Sequence, residues 1–358
     1  MKTYHVASIP GDGIGPEVLE AAAAVLAAAA RRFGFALELE RLPYGADHYL
    51  ATGETLPDHA FEHLRSDVDA ILLGAVGDPR VPGNEHARDI LLGLRFRLDL
   101  YINLRPVQLW HPDLTPLKLA VPPRLRASEP SVEPLIDFVI FRENTEGQYL
   151  GRGRITHTEH VSEEVNTPKG VERIIRAAFA WAKAHGRTRV TMSDKSNAIP
   201  AHRLWQDTFK RVAAEFPGIQ AEHRYVDALA LELVREPQRF QVIVTNNLYG
   251  DILSDLGAGL VGGLGLAASA NLHPGRAGLF EPVHGSAPAL AGRNAANPFA
   301  AILTSAMMLR ELEQPEAARA LEDGVRAALA AGVRTPDIGG TWGTREAAAW
   351  VAEHVGRG

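Results

Sequence analysis

Short apolar runs alternate with longer amphipathic ones over the first hundred residues, and this pattern constrains the fold more than any other feature. "YHVASIP" at 4–10 is followed by a helix-like run from Pro16 to Arg32, "ALELERL" at 36–42 by Leu56 to Leu64, and "DAILLGAVG" at 69–77 by "ARDILLGLRFRLDL". Strand-helix-strand punctuation of this kind predicts an α/β domain built on a mainly parallel sheet. The stretch from Trp110 to Pro134 is proline-rich and irregular, which suggests a domain boundary near residues 100–110. Strands resume at "IDFVIFREN", "RVTMSD" and "FQVIVTNN". Helices are expected at Lys169–His185, Ala201–Phe216, Pro298–Leu312 and Glu316–Ala331. Gly151–Pro168 reads as a polar, extended stretch, and Gly257–Gly265 as a turn or hinge.

With 358 residues, 46% of them hydrophobic, the chain can bury one large or two ordinary cores. A net charge of −6 with scattered basic residues gives no electrostatic footprint for nucleic acid or a membrane surface. The absence of cysteine removes disulfides, thiolate metal sites and cysteine nucleophiles, and is compatible with a reducing cytoplasm. "MKTYHVASIPGDG" carries no basic region followed by an apolar core, so export is not expected. No 18-residue apolar run exists to span a membrane.

"PGDGIGPE" puts Gly11, Gly13 and Gly15 between a strand and a helix, which invites a dinucleotide-binding reading. The spacing does not match. A Rossmann fingerprint has its third glycine three residues after the second, and here it comes two after. A tight strand-to-helix turn and a ligand role both remain open for it. The phosphate-loop, HExxH and GxSxG patterns are absent, which removes the usual support for hydrolase readings.

"NLYGDILSDLG" carries Asp251 and Asp255 one helical turn apart in an apolar segment, where like charges repel by roughly 0.2–0.5 kcal/mol. Placement near a helix start accounts for Asp251 alone. A divalent cation, which takes carboxylate oxygens, would account for both. Arg95 and Arg97 of "LLGLRFRLDL", Arg105 of "NLRP" and Arg142 of "FREN" stand out as well. Arg105 and Arg142 adjoin apolar strand residues, where a half-buried guanidinium needs carboxylate partners, and a substrate with two or three carboxylates would supply them. Lys195, one of six lysines, ends the strand "RVTMSD"; it reads either as a surface partner of Asp194 or as a base.

Taken together, these segments resemble the β-decarboxylating dehydrogenases, the family of isopropylmalate, isocitrate, homoisocitrate and tartrate or D-malate dehydrogenases. The resemblance runs from "GDGIGPE" to "RTPDIGG", and its most specific parts are "NLYGDILSDL...GLVGGLGLAASANL" and "FEPVHGSAP...AGRNAANP". It implies an α/β, isopropylmalate dehydrogenase-like two-domain fold that is not a Rossmann fold. Residues 1–100 plus 262–358 would form the first domain, and 101–261 the second, which carries the dimer interface.

The resemblance also implies Mg²⁺ or Mn²⁺ held by Asp251 and Asp255, with Asp227 reaching in from the other subunit of an obligate homodimer that shares its active sites. Arg95, Arg105 and Arg142 would clamp the carboxylates of a small hydroxydiacid. Lys195, also from the other subunit, would assist deprotonation of the C2 hydroxyl, and Tyr149 would protonate the enolate. Glu281, His284, Gly285, Ser286, Ala287, Ala289 and Asn297 fall in the family's cofactor loop.

Leu91 and Leu92 match the apolar wall of isopropylmalate enzymes, so the expected substrate is 3-isopropylmalate, an intermediate of leucine biosynthesis. D-malate, tartrate or isocitrate is the alternative substrate, and a non-catalytic regulatory subunit is the remote alternative function. Two departures stand beside this: Arg88 replaces a glutamate typical of isopropylmalate enzymes, and "RENTEG" is commoner in the isocitrate and tartrate branches. A third concerns the cofactor. Ala289 and Leu290 stand where NAD-linked members carry an aspartate and NADP-linked ones lysine then tyrosine, so the expected cofactor is NAD, with NADP as the alternative.

Overall fold

The computed structural model describes residues 1–118 and 135–357. Most of the proline-rich stretch expected to be irregular, residues 119–134, lies outside the described residues. The first part of the chain alternates as its sequence predicts, with one short helix, α2, that the pattern did not give: β1 (Thr3–Ile9), α1 (Gly15–Phe33), β2 (Ala36–Arg41), α2 (Ala46–Thr52), α3 (Asp58–Ser66), β3 (Ala70–Leu73) and α4 (Glu85–Arg97). Then come β4 (Ile102–Gln108), β5 (Asp137–Glu143), a short hairpin of β6 (Gly153–Ile155) and β7 (His160–Ser162), α5 (Pro168–Ala184), β8 (Arg189–Asp194) and α6 (Arg203–Ala213). The rest is β9 (Gln220–Tyr225), α7 (Val226–Arg235), β10 (Val242–Thr245), α8 (Asn247–Leu260), β11 (Ala268–Leu272), β12 (Gly278–Pro282), α9 (Phe299–Glu311), α10 (Pro315–Ala330) and α11 (Thr344–Arg357).

Apart from the β6–β7 hairpin, the described strands form a single ten-stranded sheet in the order β2-β1-β3-β12-β11-β4-β5-β10-β8-β9. Both flanks are parallel, but β12, β11, β4 and β5 run antiparallel to one another in the middle. The parallel strands β3 and β10 are buried at every residue, as strands covered by helices on both faces must be.

Beside one end of the sheet, alanine-rich α1 packs with α9, α10 and α11 through Val18, Leu26, Ile302, Leu309, Leu321, Val325 and Val351. Beside the other, α5 and α6 close over β5, β8 and β10 through Ile174, Phe179, Trp205 and Phe209. No helix among the described residues is long and apolar enough to cross a membrane.

The turn expected at Gly257–Gly265 begins late. α8 continues through Gly257 to Leu260, and a β-carbon on Gly257 would lie 2.8 Å from a methyl of Val107. That glycine permits close helix–sheet packing, which outweighs its cost of about 1 kcal/mol inside a helix.

Candidate active site

Where the antiparallel middle of the sheet meets α4 and α8, the chain encloses a cavity of about 460 Å³. α4 lines it with Arg88, Leu91, Leu92 and Arg95, which lie at i, i+3, i+4 and i+7 and so share one helix face. Arg105 of β4 and Arg142 of β5 enter from the sheet, Asp251 and Asp255 from α8, and Tyr149 from a tight turn at Gly147–Leu150. Glu281, His284 and Gly285, at and beyond the end of β12, form the remaining wall with Gly74, Ala75 and Val76.

Three of the cavity's arginines meet carboxylates. Arg142, only 1% exposed, donates to Asp251 through Nη1 and, through Nε, to Asn247 Oδ1 at 2.9 Å. Arg105 Nη1 lies 3.2 Å from Asp251, 3.3 Å from Asp255 and 2.7 Å from Ser254 Oγ. Arg95 pairs with Glu281 at 2.7 Å. Burial weighs against the charge on Arg142 and Arg105 and pushes both down from the ordinary value, although a guanidinium stays protonated.

The two aspartates are driven apart. Burial raises Asp251, but Arg142, Arg105 and the Tyr149 hydroxyl outweigh it and hold the carboxyl low. Burial raises Asp255 too; Arg105 opposes this and Asp251 reinforces it, and the carboxyl ends above its ordinary value. Tyr149 donates its hydroxyl to Asp251 at 2.6 Å, and burial followed by that bond raises the phenol.

The glycine loop at 11–15 does not line this cavity. It packs on the loop that does, with Ile14 N donating to Ser286 O at 2.8 Å and a β-carbon on Gly13 falling 2.0 Å from the same oxygen. Asp12 in its centre accepts from Ala46 N at 2.6 Å and Gly77 N at 2.7 Å, and pairs with buried His86 at 2.8 Å. The strand-to-helix turn is thus a structural hub beneath α4.

A model of the isocitrate/isopropylmalate dehydrogenase family matches residues 5–351. The chain belongs to that family. A 3-isopropylmalate dehydrogenase of Thermobifida fusca is 44% identical, with 90% of this chain and 90% of that one covered. One from Methanothermobacter thermautotrophicus is 42% identical over 99% of each. The crystal structure of isocitrate dehydrogenase from Methylococcus capsulatus superimposes with a TM-score of 0.87 at 37% identity, covering 99% of this chain and 100% of that one.

Within this family member the cavity gathers Leu91, Leu92, Arg95, Arg105, Arg142, Tyr149, Asp251, Asp255, Glu281, His284 and Gly285. Other expected site residues lie apart. Lys195 and Asp227 pair with each other at 2.5 Å, and neither lines the cavity. Ser286 and Ala287 continue the chain beyond the lining, and Ala289 is exposed. Asn297 is buried with its amide committed to Asp337 and to the Phe299 N–H at the start of α9.

Sequence reasoning did not single out Asn247, Ser254 or the buried asparagine cluster behind Glu281. Asn271 Nδ2 donates to Glu281, its Oδ1 accepts from Asn103 and Asn144, and the group holds the carboxylate that Arg95 meets. A signal was present: Asn103 and Arg105 sit two apart in an apolar strand and so share a face, and Asn144 follows directly on the strand that carries Arg142.

Proposed function

We propose that the cavity binds 3-isopropylmalate and carries out its NAD-linked oxidative decarboxylation, in a homodimer of the cytoplasm. The observation that carries this is the face of α4, where Leu91 and Leu92 stand as an apolar wall beside three buried or nearly buried arginines and two aspartates. Arg95 and Arg105 each keep a buried Nε without a partner, which leaves donor capacity for substrate carboxylates. Loss of any of these groups would favour a non-catalytic reading, and all are present.

The donor set fits a divalent cation. Asp255 is half-exposed in the cavity wall and raised by burial and by its like-charged neighbour, a repulsion that an oxygen-seeking cation relieves. No group of three metal-ligating side chains forms within the described residues of one chain, so the reading takes Asp227 from a second copy. Bound there, Mg²⁺ or Mn²⁺ would supply a Lewis acid, as NAD held at the 281–289 loop would supply a hydride acceptor.

The remaining work falls to side chains. Arg95, Arg105 and Arg142 orient the diacid, Lys195 takes the C2 hydroxyl proton, and Tyr149, held protonated by burial, returns a proton to the enolate left when CO₂ departs. Exposed Leu231 and Val234 on α7 and Ile252 on α8 support a partner covering the face near Asp227. The separate cores at the two ends of the sheet support the division into 1–100 plus 262–358 and 101–261.

Reduction of NAD with Mg²⁺ and a panel of 2-hydroxydiacids tests the substrate. Burying three aliphatic carbons at about 0.8 kcal/mol each favours 3-isopropylmalate over D-malate by roughly fifty-fold in kcat/KM. A higher kcat/KM for D-malate, tartrate or isocitrate, or for NADP over NAD, would overturn the assignment.

Sharing of sites has its own test. Lys195→Ala and Asp251→Asn variants, each inactive, are expected on mixing and reassortment to recover about a quarter of wild-type activity, because half the dimers are mixed and each mixed dimer has one intact site. If mixing restores nothing although mixed dimers form, Lys195 does not act across the interface.

A further inference from the structure

One carboxylate outside the cavity lining, Glu164 between β7 and α5, holds both the loop that carries Lys195 and the start of the helix that carries Asp251 and Asp255. Lys195 donates its backbone N–H to Nδ1 of His202 at 3.1 Å. That bond leaves the ring proton on Nε2, which donates to Glu164 at 2.9 Å. His202 is fully buried, and both its nitrogens are committed. Glu164 also accepts from Asn246 Nδ2 at 2.9 Å, while Asn246 Oδ1 caps α8 by accepting from Tyr249 N at 2.9 Å. Asn166 Nδ2 donates as well, at 2.9 Å. Burial raises the Glu164 carboxyl, but His202, Asn166 and Asn246 outweigh it and hold the group below its ordinary value.

We propose that Glu164 is a positioning residue common to the two sites of the dimer. Through His202 it sets Lys195 for the other subunit's site, and through Asn246 it sets Asp251 and Asp255 for its own. This rests on the reading of Lys195 and the helix aspartates given above. Replacing the carboxylate by an amide turns one acceptor end into a donor facing other donors, so both links loosen while the shape is kept.

Mixed dimers of Lys195→Ala with Asp251→Asn test this, because their one intact site takes its lysine from the Asp251→Asn protomer and its helix aspartates from the Lys195→Ala protomer. Glu164→Gln is expected to lower the mixed-dimer rate about tenfold whichever protomer carries it. His202→Gln, which keeps a donor toward Glu164 but loses the acceptor for Lys195 N–H, should do so only in the lysine donor. Asn246→Ser, which keeps a cap but loses the donor to Glu164, should do so only in the helix donor. In plain homodimers, Mn²⁺ binding read by electron paramagnetic resonance should weaken about tenfold in Glu164→Gln and Asn246→Ser and stay within about twofold in His202→Gln. Equal losses from both placements for all three variants would mark a purely structural role and overturn the proposal, as would a Glu164→Gln effect from one placement only or from neither. If the parent mixture stays inactive although mixed dimers form, the cross-interface reading of Lys195 fails. The homodimers then decide: the proposal falls unless Glu164→Gln lowers both kcat and Mn²⁺ affinity while His202→Gln lowers kcat alone.

Discussion

Asp255→Asn is expected to lower kcat by about 10²–10³ while leaving the melting temperature near that of wild type. Its carboxylate is half-exposed, touches one guanidinium at 3.3 Å and faces a like charge one turn away, so the fold loses little when the charge is removed. Asp251→Asn is expected to lose as much turnover and stability as well. Asp251 partners both buried Arg142 and Arg105 and accepts from Tyr149, so its neutral replacement strands two buried cations. Stranding a charge of a fully buried pair costs about 3–5 kcal/mol; with the Asp251 side chain 34% exposed, solvent screening brings this to about 2 kcal/mol. Steady-state rates at saturating Mg²⁺ and scanning calorimetry check both variants. Near wild-type turnover in Asp255→Asn would remove the ligand assignment, and an unchanged melting temperature in Asp251→Asn would remove the pairing argument.

Gly13→Ala should cost stability and cofactor affinity together. The residue sits at φ +57°, where a side chain adds roughly 1–2 kcal/mol, and its new β-carbon would lie 2.0 Å from the backbone oxygen of Ser286. Neither partner is a side-chain tip that can swing aside. One loop must move, breaking the Ile14–Ser286 hydrogen bond and displacing the 281–289 segment. Gly53→Ala is the control: φ is +74° there, but nothing lies within 4 Å of the new methyl. The expected outcome is a larger fall in melting temperature for Gly13→Ala and a KM for NAD at least about tenfold higher, while Gly53→Ala shows only the backbone penalty. Equal melting temperatures and an unchanged KM would show that the two loops are not coupled.

The parts legible in the sequence were those set by local chemistry. Alternation of apolar runs gave β1 through α4, apart from the short α2, because each element states its period within its own span, and the spacing of Asp251 and Asp255 placed both carboxylates on one face of α8. The antiparallel middle of the sheet was not legible, since β11 and β12 insert between β3 and β4 from nearly two hundred residues downstream. Nor was the end of α8. A glycine that admits Val107 looks the same in sequence as one that ends a helix. The committed amide of Asn297 was hidden for a related reason: its partner, Asp337, is forty residues away.

The insertion of β12 beside β3 has a consequence for biogenesis. β1, β2 and β3 leave the ribosome early, yet their inner neighbour is Gly278–Pro282, and the helices that cover α1 begin only at Phe299. β5, β8, β9 and β10, by contrast, are all made between residues 137 and 245, so that half of the sheet can assemble during synthesis. The opening segment of the chain must wait, with α1 and its alanine face uncovered, until translation is nearly over. For a nascent chain this is the interval of greatest exposure to chaperones and to misassembly.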